Sequence, residues 1–181
     1  KEKGSVLFAN IILLFWFGAS ILEYQYTGFV FNKNRLDDMN IFIILASTIG
    51  VALLWSVTNW ALCTLQDGKG TFREIWINFA YSRMTYLITI LPIILLSNLL
   101  TSDEGFFLNI IIYCVNIYSI LQLVLATKAA HQYTMKKTVF SILLTLLGCV
   151  LVIMVILLFV SLFAQLWSFI STISQEIMMR V

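Results

Sequence analysis

The sequence predicts an all-α fold: a polytopic integral membrane protein, a bundle of five transmembrane helices with a short interfacial helix between spans two and three. Three observations predict it. Of 181 residues, 61% are hydrophobic and 11% charged, against roughly 45 to 50% and about 25% in soluble domains. Five stretches are long and uncharged enough to cross a hydrocarbon core, which takes roughly 20 apolar residues at about 1.5 Å each. The basic residues collect in alternate loops.

The first span covers residues 5–22, the second 39–66, the third 84–102 and the fourth 106–127. After Lys137 the chain stays uncharged to Gln175, more than one bilayer needs, so the fifth span is drawn over 138–164. Residues 165–179 follow, with Leu166, Ile170, Ile173 and Ile177 at helical spacing and Gln165, Ser168, Ser171, Thr172 and Glu176 between them. Two readings of this tail stand: an amphipathic interfacial helix, or the exposed end of one long tilted helix. Between spans two and three, Thr71 and Glu74 have capping-box spacing. Phe72, Ile75, Trp76, Phe79 and Ala80 then form an apolar stripe opposite Arg73, Glu74 and Asn78, which places the other interfacial helix over 72–82. Pro92 is expected to kink the third span, because proline removes a helical hydrogen bond. The whole chain, 1–181, is read as a single domain. It opens at Lys1 without Met, so an upstream segment is expected.

Orientation follows from Lys and Arg in short loops. Lys1 and Lys3, then Lys69, Arg73 and Arg83, then Lys128, Lys136 and Lys137 put eight on one side. Lys33, Arg35 and Arg180 put three on the other. The amino terminus is therefore expected in the cytoplasm and the carboxyl terminus outside. A net charge of +2, dispersed along the chain, excludes the clustered cations that nucleic acid requires.

No span drawn this way contains Asp, Glu, Lys or Arg. Ion-coupled pumps and voltage sensors place such groups at membrane depth, so a proton-coupled transporter is disfavoured. An intramembrane enzyme would need two ionisable or metal-binding groups there, and no catalytic residue is expected. Three separated cysteines and one histidine supply neither a disulfide framework nor a zinc site, and no metal or cofactor is expected. Asp67-Gly68-Lys69-Gly70-Thr71 has phosphate-loop residue types without the phosphate-loop spacing. It reads instead as a turn, and with Arg73, Glu74 and Trp76 it makes an ordered basic surface suited to a protein partner or anionic headgroups. His131, just beyond span four, is taken as a surface or interface residue of the same region. Asn109, Tyr113 and Asn116 share one face of the fourth span and are expected to make intramembrane polar contacts, with Asn59 and Asn10 as partners. The tryptophans are read largely as interfacial anchors.

Trp55, Asn59-Trp60, the turn Asp67-Gly68-Lys69-Gly70, Thr71-Phe72, Glu74, Tyr81 and Pro92 together resemble the Yip1 domain family, especially its bacterial members. The resemblance extends through His131-Gln132-Tyr133 and Lys137 to Glu176. It implies five spans with a cytoplasmic amino terminus. Eukaryotic members associate with small prenylated GTPases in traffic between endoplasmic reticulum and Golgi, but their Asp-Leu-Tyr-Gly-Pro type motif is not found here, and a bacterial cytoplasmic-membrane protein is the more natural reading.

The expected function is a non-catalytic membrane scaffold or adaptor, whose partners are membrane lipid and another membrane protein or complex, with a homo-oligomer also open. The alternative is an accessory subunit or small permease of a solute transport system, with the Asn109, Tyr113 and Asn116 face lining its path.

Overall fold

A computed structural model describes residues 4–32 and 38–179. Lys1, Lys3, Lys33, Arg35 and Arg180 of the charge count lie outside the described residues. The described residues form helices and connections without strands. In order they are α1 (Val6–Tyr26), α2 (Ile41–Leu45), a π-turn (Ala46–Gly50), α3 (Val51–Leu65), α4 (Phe72–Ser82), α5 (Met84–Leu99), α6 (Gly105–His131) and α7 (Met135–Met179). Among the described residues, five helical stretches are long and apolar enough to span a membrane: Val6–Tyr26, Ile41–Leu65, Phe72–Leu99, Ser102–His131 and Met135–Gln175.

Local chemistry sets the helix starts. Asn40 caps α2, its Oδ1 accepting from the Phe42 and Ile43 amides at 2.9 and 3.4 Å. Inside the second span, the Ser47 and Thr48 hydroxyls donate to the Ile44 carbonyl at 3.0 and 2.7 Å, where the π-turn begins. Thr71 and Glu74 close the expected capping box at the start of α4.

The position of α4 departs from the expected interfacial helix. Ile75, Ile77, Phe79 and Ala80 are all buried, and α4 packs against α1, α3 and α6. Only Arg83 separates α4 from α5, and its φ of −86° and ψ of −8° keep the chain helical, so Phe72–Leu99 is one stretch of 28 residues. The ring pairs Trp60–Phe72 and Trp55–Phe79 run antiparallel along α3. Thr85 meets Gln122 and Asn78 meets the Ala126 carbonyl along α6 in the same sense. Phe72–Leu99 as a whole is thus long and apolar enough to span a membrane. Part of the polar side that suggested an interface is satisfied internally, since Glu74 caps and Asn78 donates to Ala126, while Arg73 stays exposed; beyond it, the Arg83 guanidinium lies 5.2 and 5.0 Å from the Trp16 and Phe79 ring centres.

Two further expectations are corrected. Ionisable groups do lie inside the spanning helices: Arg83 in Phe72–Leu99, and Glu23 in α1, accepting from the Tyr86 hydroxyl. The amphipathic stripe read over 72–82 hid the depth of the first, and the early end drawn at Leu22 hid the second. Trp16 and Trp55 are core residues packed on Phe79, together with Ile12, Leu13 and Ile75. Of the two readings of the tail, the backbone has the continuous helix: α7 runs unbroken for 45 residues, because neither Gly nor Pro follows Gly148.

Candidate functional site

The loop after α3 and the turn between α6 and α7 meet at one end of the bundle, so the two basic loops share that end. Both helices leading into it finish with a left-handed residue, Asp67 with φ 58° and Gln132 with φ 57°. In each case the next amide reaches back to close the helix end: Gly68 donates to the Cys63 carbonyl at 2.7 Å and Tyr133 to the Lys128 carbonyl at 3.2 Å. The positive φ thus falls on Asp67, not on its glycine neighbours. Gly68 and Gly70 answer to close approach instead. A Cβ on Gly68 would lie 2.6 Å from both His131 Nδ1 and the Tyr133 hydroxyl, and one on Gly70 would lie 2.7 Å from His131 Cε1.

His131 is 2% exposed, so it lies inside the bundle rather than on an open surface. Its ring stacks on Tyr133, and the bonds around it fix its tautomer. The Gly70 amide donates to Nδ1 at 3.3 Å, which leaves Nε2 to carry the proton and donate to Asn59 Oδ1 at 3.1 Å. Asn59 Nδ2 then donates to the Thr145 hydroxyl at 3.0 Å, and Thr145 donates to the Ser141 carbonyl at 2.8 Å. Beside this line, Cys63 Sγ and Ser141 Oγ lie 3.0 Å apart. Tyr133 donates to the Cys63 carbonyl at 3.1 Å, and Lys137 Nζ donates to the Gln66 carbonyl at 2.7 Å while lying 4.4 Å from the Tyr133 ring centre. Burial, then the neighbouring Cys63 thiol, push the Tyr133 phenol up to about 12, which keeps it a donor.

The result is a latch. Polar groups on α6, α7 and the turn between them grip the Gln66–Gly70 loop, and Asp67, Lys69, Thr71 and Arg73 stand exposed on its outer side. Trp76 is half-buried, stacked on Phe72 and donating to Asn10 Oδ1 at 2.9 Å. Of the expected surface set, the latch joins Gly68, Gly70 and His131. With both ring nitrogens of His131 engaged, Cys63 has no free base beside it among the described residues, and the arrangement suits positioning rather than nucleophilic chemistry.

Sequence reasoning gave Tyr133 and Lys137 a place in the family resemblance but no site role, and missed Ser141 and Thr145. A signal for part of this set was present. Thr138, Ser141, Thr145 and Gly148 fall on one face of α7, and Ser56, Asn59 and Cys63 on one face of α3, which is how small and polar residues mark close helix contacts in lipid. Asn59 and Asn10 are bonded elsewhere, so neither pairs with the fourth-span face as expected. Tyr113 and Asn116 point outward from α6 and Asn109 lies toward α1 and α5, and none of the three makes a side-chain hydrogen bond to the described residues.

An all-helical bundle with five spanning stretches and a polar latch joining two loops defines a polytopic integral membrane protein. The Yip1 domain family model matches residues 3–158, and the chain belongs to that family. No curated protein and no solved structure matches it.

Proposed function

We propose that the protein is a non-catalytic scaffold of the bacterial cytoplasmic membrane, amino terminus inside, that binds another membrane protein along its fourth spanning helix. The observation that carries this reading is the outward face of α6. Tyr113 is 67% exposed and Asn116 is exposed, and neither side chain has a hydrogen-bond partner among the described residues. Polar side chains facing lipid gain about 0.6 to 2 kcal/mol each by meeting a neighbouring helix. The latch supports the same reading at the basic end, because it holds Asp67, Lys69 and Arg73 in a fixed exposed arrangement beside that helix.

The test is a photo-crosslinking residue at Tyr113 and at Asn116 in native membranes, with buried Ser119 as the control position. Products containing one defined second membrane protein, identified by mass spectrometry and absent at Ser119, are expected. Lipid adducts alone, or dimers of this chain alone, would overturn the reading. So would solute flux in vesicles containing only this protein, which is the behaviour of a small permease.

A further inference from the structure

At the end of the bundle opposite the latch, α1, the π-turn, α5 and α6 surround a cavity of about 620 Å³. That is within the range of small-molecule sites, roughly 300 to 1,000 Å³. Glu23 is the acidic residue on its wall, and no Lys, Arg or His lines it among the described residues. The Glu23 carboxylate is half satisfied: Oε2 accepts from the Tyr86 hydroxyl at 2.5 Å, while no hydrogen bond reaches Oε1 from the described residues. Oε1 is also not a sealed orphan, since the buried polar atoms lacking partners are Ser56 Oγ, Thr58 Oγ1, Gln66 Nε2 and Arg83 Nε. It is therefore an open acceptor on a cavity wall.

Two aromatic rings, Tyr24 and Phe31, share that wall, as do Ser47 from the π-turn and Asn109 from α6. We infer that the cavity is a binding site for an ammonium group, with Glu23 Oε1 as its counter-ion and Tyr24 and Phe31 as its aromatic faces. The chemistry selects this class over the alternatives. A carboxylate with no base beside it among the described residues repels anions. A divalent metal needs several hard donors, and no group of three His, Cys, Asp or Glu side chains is assembled among the described residues. An ammonium group needs only one carboxylate and benefits from aromatic faces. An ionised carboxylate within a spanning helix is costly unless paired, so an arriving cation gains both the charge and the relief of its burial. The π-turn fits a site as well, since such turns recur where a helix is reshaped for a ligand. The inference is independent of the scaffold reading, which concerns the outer face of α6.

The ammonium could belong to a free amine or to a phosphatidylethanolamine headgroup, and the experiment separates the two. Purified protein in nanodiscs of phosphatidylglycerol alone is titrated with ethanolamine and, as an anionic control, with acetate. Ethanolamine should bind and raise the melting temperature, acetate should do neither, and Glu23→Gln should weaken ethanolamine by at least about tenfold, or about 1.4 kcal/mol. In discs that contain phosphatidylethanolamine, native mass spectrometry should find one such lipid retained by the wild type and lost from Glu23→Gln if the headgroup is the ligand. Should Glu23→Gln fail to fold, Ser47→Leu, which narrows the cavity and leaves the carboxylate, must weaken binding in its place. Equal binding by wild type and Glu23→Gln, or neither amine nor headgroup binding in either disc, would overturn the site.

Discussion

His131 has two neighbours that dictate its protonation. The Gly70 amide can only donate, so Nδ1 must accept, and a proton added there would remove the acceptor and set two donors against each other. The line from Gly70 through His131 and Asn59 to Thr145 therefore has one direction, and each member depends on the one before it. Asn59→Leu should leave His131 Nε2–H unpaired in a dry site and destabilise the fold by about 1 to 3 kcal/mol. In a double-mutant cycle with Thr145→Val the two losses should not add. Denaturant unfolding in micelles measures both, and a loss below about 0.5 kcal/mol for Asn59→Leu, the size of an ordinary surface change, would show that the line holds nothing. Gly70→Ala should cost about 1 to 3 kcal/mol by overpacking against the imidazole. Tyr133 gives the latch a pH limit. Unfolded tyrosine ionises near pH 10, the latched phenol at about 12. Its contribution is thus complete below pH about 10 and is lost as pH rises through about 12. The stability difference between wild type and Tyr133→Phe should shrink over that window; a difference that stays constant would remove Tyr133 from the latch.

Among the elements, α7 is divided by what it touches. Thr138, Ser141 and Thr145 are fully buried against α3, whereas every residue from Leu151 to Ile170 is exposed. A helix of 45 residues is about 67 Å long, twice a hydrocarbon core, so its far part adds nothing to the bundle. Truncation after Gln165 should leave the unfolding free energy within about 0.5 kcal/mol, measured in the same micelles, and a larger fall would mean that the tail folds back on the bundle. The sequence made the number of spans legible because apolar length alone decides that. It made the start of α4 legible because Thr71 and Glu74 carry their own hydrogen-bond geometry. It did not show that α4 packs among α1, α3 and α6, because Glu74, Asn78 and Arg83 look the same in a helical projection whether water or neighbouring helices satisfy them. It also hid the latch, since Asn59 and His131 are 72 positions apart and only the antiparallel return of α6 brings them together.

For the whole molecule the two ends differ in kind. The basic loops around Lys69 and Lys136 are joined by the latch, whereas the α1–α2 connection meets the start of α6 at the other end, where a Cβ on Gly105 would lie 2.7 Å from Phe31. The Lys69 loop and the turn before Lys136 share one end of the bundle, so the basic residues that argue for orientation stay together on one side. Because the latch ties the loops physically, no insertion pathway can leave one on each face without breaking Asn59, His131 and Lys137 away from their partners. In a Cys114→Ala background, Lys69→Cys and Lys136→Cys should react with a membrane-impermeant maleimide only after permeabilisation, and Phe29→Cys and Asp103→Cys should react in intact cells. Both basic positions reacting in intact cells would invert the orientation but keep the fold. Lys69→Cys and Lys136→Cys reacting from opposite faces would be incompatible with the latch itself, and the arrangement of all five spans would have to be redrawn.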